Sequence, residues 1–108
     1  GAGNEYLAVT PKGDLYPCHQ FIGREDFLLG DVFKGIKESH ICDEFRRAYV
    51  YNKPKCAECW ARFYCGGGCH ANAHLANENI FEPYELGCAL MKKRLECALF
   101  IKVKTLEA

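Results

Sequence analysis

The chain has 108 residues, 49% apolar and 13% aromatic, which suits one domain with a modest core and excludes a disordered tail. Fourteen basic and fourteen acidic side chains cancel, so neither a basic stripe for nucleic acid nor a charged interaction tail is present. No run of eighteen apolar residues exists, which predicts no membrane-spanning helix.

Residues 5–9, Glu-Tyr-Leu-Ala-Val, predict a strand. Pro11 to Asp14 reads as a turn, and Leu15-Tyr16 starts a returning strand that delivers Cys18 at its end. Residues 21–30 read as a loop with some local order. Val32, Phe33 and Ile36 sit at helical spacing and predict a short helix over 31–39. A second is expected over 43–50, with Phe45 and Tyr49 four apart on one face. Pro54 opens a cysteine loop in which Gly66-Gly67-Gly68 forbids a regular element. A brief helix over 69–76 and a turn over 77–81 follow. The strongest helix is expected over 83–101, with an apolar face built from Leu86, Leu90, Met91, Leu95, Cys97, Leu99 and Ile101. The fold class predicted is α+β: a small cysteine-rich domain with an N-terminal β-hairpin, short helices, cluster-binding loops and a long C-terminal helix.

Six of the eight cysteines form an ordered series. Cys18 closes Gly13-Asp14-Leu15-Tyr16-Pro17-Cys18; Cys56, Cys59, Cys65 and Cys69 follow as C-x2-C-x5-C-x3-C; Cys88 comes after a gap. Secreted disulfide scaffolds usually scatter their cysteines, whereas four here lie within fourteen residues, so the spacing favours metal. Soft thiolates at short spacing hold zinc or iron–sulfur clusters, and these are too many for one four-coordinate site. Cys56, Cys59 and Cys65 can reach one centre, and Cys88, near a helix N-terminus that favours anions, can complete it. Cys69 is then left for a second centre with Cys18, as iron–sulfur loops send a following cysteine to a neighbouring cluster. The glycine run would let backbone N–H groups approach cluster sulfides. A glycine turn between zinc ligands is the competing reading.

With Gly13-x4-Cys18, the C-x2-C-x5-C-x3-C series and Cys88, the chain resembles the SPASM domain, the auxiliary-cluster module of radical S-adenosylmethionine enzymes that modify peptides and proteins. The stretch from Cys59 to Ala73 is similar to maturases of SCIFF peptides, small cysteine-rich ribosomal peptides, which join a cysteine sulfur to the α-carbon of another residue. The resemblance implies two [4Fe–4S] clusters: an outer one on Cys56, Cys59, Cys65 and Cys88, and an inner one on Cys18 and Cys69. The family pattern places another cysteine nine to fifteen residues before Gly13, a window that runs off the start of the chain and holds none from Gly1 to Gly3. The chain is therefore expected to be a fragment, 1–108 forming the auxiliary-cluster domain. The S-adenosylmethionine site, a third [4Fe–4S] cluster and a partial barrel would precede it, and the fragment alone is expected to be inactive.

The resemblance further implies a cytoplasmic enzyme, a cysteine-rich precursor peptide as substrate, and an electron donor such as ferredoxin or flavodoxin, with no nucleic acid or membrane partner. The auxiliary clusters would accept an electron as the thioether forms, and an inner cluster lacking one protein ligand would bind the peptide thiolate at its open iron. A zinc-ribbon-like module and a ferredoxin-like carrier are the alternatives.

Cys42 lies outside the pattern and reads as a further inner-cluster ligand or a plain buried thiol; Cys97 reads as core. His19 and His70, each following a pattern cysteine, read as solvent-facing or backbone-bonded in preference to ligands. Trp60, Phe63 and Tyr64 are expected to shield a cluster from water or to belong to the core. Arg24, Arg46, Arg47 and Arg62 are candidates for peptide contacts, against the plainer reading of a solvated face.

Overall fold

A computed structural model describes residues 1–107. It divides into two units, Gly1–Ala48 and the segment from Tyr49 onward. The sheet lies wholly in the first unit and the cysteine loop wholly in the second, so the fold is α+β as the sequence predicts.

The first unit carries a four-stranded antiparallel meander of short strands: β1 Ala8–Val9, β2 Asp14–Tyr16, β3 Gly30–Asp31 and β4 Gly35–Ile36, in that order. Ala8 faces Tyr16, Leu15 faces Gly30, and Asp31 faces Gly35. Thr10 closes the first turn, its carbonyl accepting from Gly13 N–H at 2.8 Å and its Oγ1 from Asp14 N–H at 3.0 Å. The first strand is shorter than the expected 5–9 because Glu5 and Tyr6 donate their N–H groups to the Gly1 carbonyl, at 2.7 and 2.9 Å. Those donors are spent in a tight turn and cannot join the ladder.

The helix expected over 31–39 does not form; a hairpin stands there. Asp31 Oδ1 accepts the N–H groups of Phe33 at 2.9 Å and Lys34 at 2.8 Å, a side-chain turn that competes with a helix for the same donors. Gly35 closes the three-residue loop at φ 81°, the left-handed conformation such hairpins need. At Gly30 a Cβ would collide with the Gly35 carbonyl oxygen, so the paired strands approach as closely as only glycine allows. Val32, Phe33 and Ile36, whose spacing suggested an apolar helix face, are all exposed.

The helix expected over 43–50 is α1, Ser39–Arg47. It starts earlier and ends at Ala48, whose N–H bonds the Phe45 carbonyl. Ile41, Cys42 and Phe45 face the interior, while Tyr49, past the helix end, is exposed and does not share Phe45's face. Phe45 meets Phe21 edge-on at 5.5 Å and Phe27 at 6.0 Å, and Phe21 and Phe27 stack tilted at 4.4 Å. Fully burying a phenylalanine is worth about 1.5–3 kcal/mol, and aromatic pairs add to that. Arg46 bonds Asp43 on its own helix and Asn4 Oδ1, and Asn4 Nδ2 bonds the Cys42 carbonyl, pinning the N-terminal turn to α1.

The second unit is helical. A 3-10 turn, Val50–Asn52, leads to α2 Pro54–Ala57, α3 Arg62–Cys65, α4 His70–Asn77 and α5 Glu85–Glu107. Pro54 takes the first position of α2, where its missing N–H costs nothing. Asn77 Nδ2 donates to the carbonyls of Glu82 and Pro83, tying the end of α4 to the turn before α5. The last helix runs six residues past its expected end, and none of its residues is buried. Leu86, Leu90, Leu99 and Ile101, expected to pack, are more than half exposed. No described helix is long and apolar enough to cross a membrane.

Candidate metal centre

The cysteine loop of the second unit wraps a cavity of about 380 Å³. Five thiols line it: Cys56, Cys59, Cys65, Cys69 and Cys88. Successive short backbone turns carry the first three. Cys56 N–H bonds the Lys53 carbonyl at 2.8 Å, Cys59 N–H the Cys56 carbonyl at 3.1 Å, and Cys65 N–H the Ala61 carbonyl at 2.8 Å. Gly66, Gly67 and Gly68 all hold positive φ, 76°, 103° and 78°, and turn the chain from α3 to Cys69 at the start of α4. Cys88 comes from the first turn of α5, and its N–H bonds the Tyr84 carbonyl at 3.1 Å. An ion pair between Lys55 and Glu82 links α2 to the turn before α5.

Burial pushes the thiols of Cys56 and Cys88 up from the ordinary cysteine value; Lys53 opposes the shift at Cys56, and Cys65 adds to it at Cys88. Left to themselves these sulfurs hold their protons, and a cationic metal favours their loss.

Two cationic side chains bond the backbone of the loop that carries the thiols. Lys53 is wholly buried, with Nζ donating to the Gly67 carbonyl at 3.0 Å. Arg62 lines the cavity, and one guanidinium nitrogen bonds the Cys59 carbonyl at 2.8 Å. Its Nε is buried with no hydrogen-bond acceptor among the described residues. Sulfur ligands, a roomy cavity, a buried cation and an unspent donor fit an anionic iron–sulfur cluster. The cysteines would hold it, and it would supply a one-electron donor and acceptor.

Cys18 lies in the first unit, two residues past β2, half-buried at the start of the 3-10 turn His19–Phe21. Cys42 is buried on α1, and burial raises its thiol above the ordinary value. Cys97, expected in the core, is exposed on α5. His19 Nδ1 contacts the Tyr6 hydroxyl at 3.3 Å. Trp60, Phe63 and Tyr64 neither line the cavity nor belong to the core: they are exposed, with Phe63 edge-on to Tyr51 and beneath the Arg62 guanidinium. Tyr84 and Met91 line the cavity instead. Spacing did not single out Lys53, because a lysine before a proline reads as solvated surface.

An uncharacterized protein of Archaeoglobus fulgidus is 30% identical over 100 residues, 86% of this chain. The match covers 23% of that relative's length. A family model described as SPASM, an iron–sulfur cluster-binding domain, matches residues 1–60. That span takes in Cys18, Cys42, Cys56 and Cys59. With more than half of its length matched, the chain belongs to the SPASM family of iron–sulfur cluster-binding domains.

Proposed function

We propose that residues 1–108 are the auxiliary-cluster domain of a radical S-adenosylmethionine enzyme that installs a thioether, cysteine sulfur to α-carbon, in a cysteine-rich precursor peptide. The observation that carries the reading is the single cavity walled by Cys56, Cys59, Cys65, Cys69 and Cys88 in a chain of this family. Cys56, Cys59, Cys65 and Cys88 hold the outer [4Fe–4S] cluster. Cys69, exposed at the start of α4, serves an inner cluster together with Cys18. Cys42 is left as a buried thiol, since its side chain belongs to the face of α1 that also carries Ile41 and Phe45. The S-adenosylmethionine site and a third cluster belong to a further domain of the whole enzyme, which draws electrons from a ferredoxin- or flavodoxin-like donor. A cluster here provides an acceptor for the electron released as the carbon–sulfur bond forms.

The zinc alternative needs ligands converging on one ion. A four-coordinate zinc site would use no more than four of the five thiols that line this space. The test is iron, zinc and acid-labile sulfide per chain, with a visible spectrum, on protein purified without oxygen. About eight irons and eight sulfides with a brown charge-transfer band support two clusters, and about four of each support the outer one alone. Zinc without sulfide or colour overturns the reading. For the reaction, the whole enzyme is given S-adenosylmethionine, reductant and a cysteine-rich peptide. A peptide mass lower by two hydrogens, with one thiol lost to alkylation, supports thioether formation; an unchanged peptide counts against it.

A further inference from the structure

Lysine is among the residues least often fully buried, and a buried charge needs compensation. Lys53 is 0% exposed. Its ammonium has three donors, and Gly67 O is its hydrogen-bond acceptor. No carboxylate pairs with it among the described residues. The groups whose negative charge would act on it are the sulfurs of Cys56, Cys65, Cys69 and Cys88. Burial depresses its pKa, and thiolate charge on these cysteines acts in the opposite direction.

The position is built from both ends of the side chain. The Lys53 carbonyl accepts the N–H groups of Cys56 and Ala57, at 2.8 and 2.9 Å, which starts α2. Its Nζ reaches fourteen residues ahead into the glycine run. Gly67, at φ 103°, has no Cβ there; one would stand 3.2 Å from Nζ. The missing side chain leaves room for the ammonium directly behind the loop that joins Cys65 to Cys69.

We propose that Lys53 is the built-in counter-charge of the cluster site, a positioning residue whose fixed ammonium favours the cluster form that has gained an electron. The inference rests on the reading of Cys56, Cys59, Cys65 and Cys88 as ligands of one [4Fe–4S] cluster. Four thiolates and an oxidised cluster make a dianion, and one added electron makes a trianion. A buried cation stabilises the trianion more, so it raises the reduction potential. A purely structural lysine, clamping the loop through its bond to Gly67, would affect folding and loading but not this preference.

The experiment compares the wild-type full chain with Lys53→Met, which keeps most of the length of the side chain without its charge or donors, and Lys53→Arg, which keeps the charge. Each is reconstituted without oxygen, assayed for iron and sulfide, and titrated with redox mediators that supply the electron. The expected result is equal loading, with the reduced-to-oxidised ratio of Lys53→Met at a fixed poise about tenfold lower than wild type. That corresponds to about 59 mV for a one-electron couple. Lys53→Arg should stay near wild type. Loading in wild type and Lys53→Arg but not in Lys53→Met overturns the proposal in favour of a structural clamp, because methionine cannot donate to the Gly67 carbonyl. Equal loading with an unchanged ratio overturns the proposal and leaves the cluster reading intact, and failure of both variants to load overturns it in favour of a structural clamp. Absence of iron and sulfide from the wild type sinks the cluster reading itself, and this inference with it.

Discussion

Phe21, Phe27 and Phe45 meet ring to ring in the first unit, with Leu15, Leu29 and Ile41 buried in the same unit. The buried positions of the second unit are Lys53, Cys56, Ala61, Gly67, Ala71, Ala73, Ile80 and Pro83 among the described residues, while its large aromatics Trp60, Phe63 and Tyr64 face water. One unit fills its interior with its own side chains; the other arranges small residues and thiols around a space. Apolar burial can hold the first on its own. The second gains stability from whatever the thiols bind, because ligand affinity for the folded form adds directly to folding free energy.

Removal of iron should break this contrast most sharply. Chelation without oxygen should cost the amides between Cys56 and Cys88 most of their hydrogen-exchange protection, while those around Leu29 and Phe45 keep theirs. Equal loss in both units would sink the distinction. Phe45→Ala is the converse experiment. It should cost about 3–5 kcal/mol in the first unit, measured by denaturant unfolding, and leave the iron bound by the second unchanged.

Finer tests separate the cysteines. Cys88→Ala should lower iron by about four per chain, the content of one [4Fe–4S] cluster. Cys97→Ala should leave iron unchanged, and Cys97 should alkylate quickly in the native protein while buried Cys42 resists. Slow labelling of Cys97 would contradict its exposure.

The smallest effect concerns the β3–β4 turn. Backbone N–H groups of Lys34 and then Phe33 hold the Asp31 carboxyl below its ordinary value of 3.8. A carboxylate whose folded-state pKa is depressed contributes stability that is present above the unfolded value and lost as pH falls through the folded one. The first unit should therefore weaken slightly below about pH 4. Asp31→Asn should flatten that slope; an identical acid profile for the variant would refute it.

The sequence showed the α+β class and its cysteine series more clearly than the bounds of each element. Cysteine spacing is local, and Cys56, Cys59, Cys65, Cys69 and Cys88, all singled out by it, line one cavity. Proline at 54, the glycine run and the start of α4 were also legible, because each follows from the dihedral limits of one residue type. The error at 31–39 has a definite cause. Apolar spacing records which side chains share a helix face, but not that Asp31 would claim the N–H groups of Phe33 and Lys34. The periodicity of α5 located the helix but overstated its burial. Lys53 was invisible because its role depends on reaching Gly67, a contact that no local pattern encodes.

One consequence of α5 concerns how the chain behaves in bulk. A helix of 23 residues is about 35 Å long, and its distal part exposes Leu99, Phe100, Ile101, Val103 and Leu106 within two turns or so. The formal net charge is zero, so little long-range repulsion keeps copies apart at neutral pH. Colloidal stability should be poor under those conditions. Sulfate, which strengthens apolar association, should precipitate the chain at modest concentration, and moving the pH away from neutrality should keep it dispersed.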